Sequence, residues 1–278
     1  MNTAAMTDWL SVSRGEAPLV LSIPHAGTEL LDVRTQVRSA WLATLDADWW
    51  VDQLYDFARE LDVTVIKTAL SRTVIDVNRD PQARELYPGM ASTALVPTTT
   101  FDGEPLYAPG CEPAADAQAR RREQYFDPYH AALQGELQRL CALHPTVVLY
   151  DAHSIRSQVP RLFAGELPLF NIGTFSGRSC APQLTAAVAQ ACSALPQGSH
   201  VIDGRFKGGY ITRNYGAPYA GVHAIQMELA CRAYLIEPPA PLDASNWPPP
   251  FSPVQAAPAQ RVLRAALLGC LDFAGATR

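Results

Sequence analysis

Thr146-Val147-Val148-Leu149-Tyr150-Asp151-Ala152-His153-Ser154 opens as the most strand-like run of the chain and closes in a polar cluster. Its short, apolar, β-branched start predicts a central strand buried on both faces of a sheet. The same order occurs twice more. Leu19-Val20-Leu21 leads into Ser22-Ile23-Pro24-His25-Ala26-Gly27, and Arg72-Thr73-Val74-Ile75 leads into Asp76-Val77-Asn78-Arg79. In an open α/β sheet, loops at the carboxyl ends of strands collect at one edge and build the ligand site. Two histidines, several carboxylates and arginines gathered at such an edge point to metal-assisted hydrolysis.

Strand and helix patterns alternate around these runs. Residues 48–61 follow a helical period and 63–69 are β-branched and strand-like, while 73–77 read as another short strand. Residues 80–112 form a long irregular stretch rich in Pro, Thr, Gly and Tyr, read as a cover over the site. Helices are expected over 113–143 and 182–195, strands from 170 and over 200–203, and a strand turning into a helix over 223–235. Residues 238–258 are proline-rich and read as an extended surface arm, before a last helix over 259–273. With no linker before the C-terminal fifth, one domain is expected over 1–278.

The composition narrows the class. At 278 residues and 48% hydrophobic, the chain can bury a sizeable core. The net charge of −5 is mild and spread out, and no Lys/Arg block is present, which argues against nucleic acid as a partner. No apolar run approaches the roughly 20 residues that span a bilayer, and the N-terminus lacks a signal-peptide pattern. The six cysteines have no CxxC spacing, and Cys141, Cys192, Cys231 and Cys270 read as buried thiols. A reduced, cytoplasmic enzyme is expected, acting on a small molecule as a monomer or homodimer.

A catalytic divalent ion needs about three protein ligands and an open position. His25 and His153 are the imidazole candidates, with Asp151 placed to orient a ring from behind. Glu29, Asp46 and Asp48 all stand where a carboxylate ligand could come from, and spacing does not choose among them. An arginine ending a buried strand needs an anionic partner, so Arg72 and Arg79 either bind a substrate carboxylate or pair with Asp76 or Asp80. The stretch Lys207-Gly208-Gly209-Tyr210-Ile211-Thr212-Arg213 reads as a ligand loop or a hairpin turn. Glu228, inside an apolar stretch, is a general-base candidate, its structural alternative being a helical salt bridge to Arg232. No GxSxG supports a nucleophilic serine.

Together these blocks resemble the N-formylglutamate deformylase (N-formylglutamate amidohydrolase) family over nearly the whole chain. The likeness runs through Ser22–Gly27, Asp46–Trp49, Val74–Arg79, Asp151–Arg156, Phe170–Phe175, Gly204–Gly216 and Gln226–Leu229. The resemblance implies a zinc-carboxypeptidase-like fold, also called phosphorylase/hydrolase-like. That is a three-layer α/β/α arrangement with a mixed, mostly parallel sheet. It implies hydrolysis of N-formyl-L-glutamate to formate and L-glutamate, the last step of a histidine degradation route. A related N-acyl-amino-acid amidohydrolase or carboxypeptidase-type hydrolase is the alternative. It implies one divalent ion, zinc first with cobalt, manganese or iron admitted, on His25, His153 and Asp48, Glu29 being the fallback. Glu228 takes the general-base position and Arg72 polarises the scissile carbonyl. Asn78 and Arg79 hold one substrate carboxylate, and Arg213, Lys207 or Arg156 the other.

Overall fold

Nine consecutive buried residues, Val147–Ile155, make the central strand β4. A computed structural model describes residues 9–84, 93–195 and 199–276, and β4 lies near the middle of its seven-stranded sheet. The elements run β1 (Leu10–Ser13), β2 (Leu19–Ile23), α1 (Ala40–Thr44), α2 (Val51–Leu54), β3 (Thr64–Thr68), α3 (Ala115–Arg121) and α4 (Asp127–Cys141). After β4 come β5 (Phe170–Gly173), α5 (Pro182–Cys192), β6 (His200–Ile202), α6 (Tyr210–Tyr215), β7 (Val222–Ala230) and α7 (Pro253–Ala276).

The strand order is β1-β3-β2-β4-β7-β5-β6. β3, β2, β4 and β7 are parallel neighbours. β1 joins β3, and β5 joins β7, antiparallel. The expected mixed, mostly parallel sheet is therefore present. From β2 the chain moves outward to β3 and then returns to the other side as β4. Such a reversal opens a crevice at the carboxyl ends of the two strands. His25 and His153 stand on either side of it.

Helices cover both faces. On one face the Tyr129 hydroxyl of α4 meets Ser22 Oγ at 3.0 Å, and Ser22 also donates to Asp151 at 2.9 Å. On the other, Tyr55 donates to the Tyr150 hydroxyl at 3.2 Å, and α7 packs on α5 and β4. No helix among the described residues is long and apolar enough to cross a membrane.

Several local expectations are corrected. Residues 73–77 are not a strand but a buried series of turns: Val74 N–H donates to Ser71 O, and Arg79 N–H to Asp76 O. Asp76 also accepts from Asn78 N–H at 3.0 Å, and such a side-chain bond competes with sheet pairing despite β-branched neighbours. The helical period at 48–61 is broken into α2 and a 3₁₀ segment, Asp56–Leu61. Residues 207–216 are not a hairpin, because Gly208 and Gly209 lead into α6. α7 starts at Pro253 and runs through Pro258, whose missing N–H falls on Val254 in the exposed first turns. Cys141, the last residue of α4, is exposed. β1 was not anticipated. Of the irregular cover, residues 85–92 lie outside the described residues; from the remainder, Thr93 and Phe101 line the cleft described below.

The proline-rich arm is bolted to the segment that carries Asp48. Trp41 Nε1 donates to Trp247 O at 2.8 Å, Trp247 Nε1 to Leu45 O at 3.0 Å, and Trp50 Nε1 to Pro249 O at 2.9 Å. These three bonds hold residues 41–50 on both sides, with Trp50 in the left-handed region at φ 65°. A bulky residue there is strained, so the surroundings must hold it.

Candidate metal centre and cleft

Strand alternation places the reactive groups. Residues two apart on a strand share a face, and registered neighbours on adjacent strands share it too. β4 and β7 pair Asp151 with Gln226 and His153 with Glu228, so all four side chains project from one face. Asp48 arrives from the α1–α2 connection, where its N–H donates to His25 O at 3.0 Å and ties that turn to the end of β2.

His25, Asp48 and His153 are all buried, and one donor atom from each lies within 4.8 Å of the others. The rings are 4.9 Å apart between centroids. Each imidazole is held from behind. His25 Nε2 donates to Asp76 Oδ1 at 2.8 Å, and His153 Nε2 faces Asp151 Oδ2 at 3.0 Å. A carboxylate only accepts, so these contacts fix the proton on Nε2 and turn both Nδ1 atoms inward.

Inside, Asp48 Oδ2 is 3.0 Å from His153 Nδ1 and 3.7 Å from His25 Nδ1. His25 Nδ1 is buried with no hydrogen-bond partner. Two inward nitrogens and a carboxylate, one nitrogen unpartnered, form a donor set suited to a dication. The charges agree. Burial raises the Asp48 carboxyl, but His153 and His25 outweigh it and hold it below the ordinary range. Burial lowers His153, yet Asp151 and Asp48 raise it well above its ordinary value, so a proton occupies the place a cation would take. The other two carboxylates stand elsewhere. Glu29 is exposed, and Asp46 accepts from Phe101 N–H at 2.7 Å and Arg156 at 3.1 Å.

A cleft opens over this group, lined by His25, His153, Arg72, Asn78, Arg79, Glu228, Gln226 and Arg205, with an apolar wall that includes Phe101, Leu162 and Phe206. Arg72 is paired with Asp76 at 2.6 Å and packs on the Phe101 ring at 4.8 Å, while its buried Nε has no hydrogen-bond partner. Arg79 donates to Thr93 and to Asn78 O, and its Nε is 3.7 Å from Asp76. Glu228 is not on a helix and does not pair with Arg232, which binds Glu166 at 2.7 Å. Instead its Oε2 accepts from Gln226 Nε2 at 3.1 Å. Burial pushes its carboxyl up to about 8, against lowering by His153.

Asn78 lines the cleft but has both amide ends engaged. Its Oδ1 accepts from Ile211 N–H at 2.7 Å, and its Nδ2 donates to Asp151 at 3.1 Å and lies 2.8 Å from His153 Nε2. With the Nε2 proton turned to Asp151, Asn78 supports His153 through the Asp151 carboxylate that both groups donate to, more than it serves as a hand for substrate. Lys207 is exposed, Arg213 sits over the Phe175 ring at 4.8 Å, and Arg156 bonds Asp46 and Asp102; none of the three lines the cleft. Sequence reasoning passed over Gln226 and Arg205. Gln226 was within reach, because two residues from Glu228 on a strand means the same face.

Gly209 is required where it is. A Cβ there would lie 2.4–2.6 Å from the Asn78 amide atoms, which are pinned from two sides. Gly209→Ala is therefore expected to displace Asn78 and tilt His153. A shift near 1 Å costs on the order of 100-fold in turnover, to be read from kcat on folded protein. Unchanged kcat would mean that Asn78 does not position the ring.

Comparisons with known proteins agree on the family. Residues 17–235 match the family model described as N-formylglutamate amidohydrolase. An N-formylglutamate deformylase of Pseudomonas putida is 47% identical over 229 residues, 82% of this chain and 85% of that protein. One of Pseudomonas aeruginosa is 46% identical over 233 residues, 84% of this chain and 87% of that protein. Among solved structures, N-formylglutamate amidohydrolase from Ralstonia eutropha superposes with a TM-score of 0.73 at 21% identity, covering 97% of this chain and 99% of that one. A gene product of Agrobacterium tumefaciens gives 0.66 at 14% identity over 97% and 95% of the two chains. These last two speak for the fold.

Proposed function

The chain belongs to the N-formylglutamate amidohydrolase family, and from this membership and the buried His25–Asp48–His153 group we propose that it hydrolyses N-formyl-L-glutamate to formate and L-glutamate with one divalent metal ion. The observation that carries the metal is the pair of inward Nδ1 atoms facing Asp48, one of them unpartnered. His25, Asp48 and His153 would hold the ion, which when bound acidifies water and polarises a carbonyl.

The other residues divide the remaining work. Glu228 takes a proton from the attacking water and returns it to the departing amine; its raised pKa suits a group that both accepts and donates near neutrality. Arg72, held by Asp76 beside Asp48, faces the carbonyl oxygen and stabilises the charge that develops there. Arg79 grips the α-carboxylate, and Asn78 keeps His153 in place. Phe101 excludes water over Arg72.

Formate release from N-formyl and N-acyl derivatives of glutamate and aspartate, with and without chelator, tests this reading. Formate from N-formyl-L-glutamate is expected, abolished by chelation and restored by zinc or cobalt. Activity that persists after complete metal removal would sink the metal assignment, and a stronger response to N-acetylated substrates would favour the related N-acyl hydrolase.

A further inference from the structure

The cleft shows which cation reads the far end of the substrate. An N-formylated acidic amino acid carries two carboxylates, and the second needs its own cationic partner. Among the described residues the arginines and lysines lining the cleft are Arg72, Arg79 and Arg205. Arg72 is committed to Asp76 at 2.6 Å and stands 3.8 Å from Asp48. Arg79 is tied to the reaction centre through Asp76, at 3.7 Å, which in turn holds His25 at 2.8 Å. It therefore suits the carboxylate adjacent to the scissile amide.

Arg205 comes from a different place. The loop after β6 folds back over β5 and β7, where Gly208 lies against Gly173 and Gly209 N–H donates to Gln226. That loop brings Arg205 to the outer wall. Its Nε donates to Leu162 O at 2.8 Å and its guanidinium lies 5.3 Å from the Phe206 ring centre. Both contacts orient the planar fork before any ligand arrives, and a fixed fork matches a carboxylate with two parallel N–H bonds. Leu162 and Phe206 line the same wall and suit the methylenes between the two carboxylates. We propose that Arg205 is the residue that binds the side-chain carboxylate and so selects acidic N-formyl amino acids. This assignment rests on the hydrolase function proposed above and goes beyond it by naming what sets side-chain preference.

The test compares kcat/KM for N-formyl-L-glutamate with that for N-formyl-L-norvaline, which ends in a methyl where glutamate has its carboxylate. A site built around a polar group rejects analogues that lack it strongly, so wild type is expected to favour glutamate by roughly 100-fold or more. Arg205→Met brings the two substrates to within about tenfold, the loss falling on glutamate, while Arg205→Lys keeps part of the preference. Because each ratio is measured on one preparation, the fraction folded cancels. Equal losses on both substrates, or a preference that survives in R205M, overturns the assignment and leaves the function standing. A wild type without preference overturns it as well. Absence of formate from both substrates sinks the function, and this assignment with it.

Discussion

Glu228→Gln lowers formate release by about 10²–10⁴-fold, the range for losing a general acid–base group, while the protein still binds one equivalent of metal. The amide has nearly the shape of the carboxyl and can still accept from Gln226, so the 3.1 Å contact survives and the strand register with His153 is unaffected. What the variant lacks is a proton acceptor. Normal turnover in E228Q would remove Glu228 from the mechanism, and loss of metal together with activity would make it part of the ion's support.

Stability supplies a second readout. Glu228 is raised from an ordinary 4.5 to about 8, with burial the largest cause. Without metal, the folded chain keeps a proton there that the unfolded chain has released between these two values. Folding stability from this group therefore falls as pH climbs through that window. An amide does not titrate, so metal-free E228Q should gain stability over wild type on going from pH 5 to pH 8. Urea midpoints at the two pH values measure it.

Part of this site was legible in the residues alone. Val147–Tyr150 and Leu19–Leu21 read as buried strands because apolar β-branched runs of that length have few other uses, and both lie at the centre of the sheet. His25 was found from standing just past the end of β2, whereas His153 lies inside β4, which runs on through the expected polar turn to Ile155. The register between β4 and β7 was not legible, and it is what sets Glu228 beside His153. Periodicity in a short apolar run fits strand and helix alike. Asp48 was one of three carboxylates until the Asp48 N–H bond to His25 O and the tryptophan clamps fixed its turn. Arg205 was hidden because β6 and β5 run opposite to β7, so the rule about carboxyl ends does not lead to it.

Asp48→Asn should abolish tight metal binding and, with it, catalysis by more than about 100-fold, since even partners behind the ligands contribute 10–100-fold. The substitution keeps the backbone bond to His25 O and the side-chain shape but removes the only charge facing both inward nitrogens among the described residues. A ligand present at 1,000 times its Kd stabilises the folded state by about 4 kcal/mol. At roughly 2–4 °C per kcal/mol for chains of this size, saturating zinc should raise the wild-type Tm by on the order of 10 °C. D48N should show little of that rise. Asp46→Asn is the informative control: Asp46 is partly buried and two residues away, yet its oxygens hold Phe101 N–H and Arg156 and neither histidine. D46N should therefore loosen the cover while keeping the metal-dependent rise in Tm. If D46N loses that rise and D48N keeps it, the ion is held by a different carboxylate, and the inward face of His25 and His153 must close around something other than Asp48.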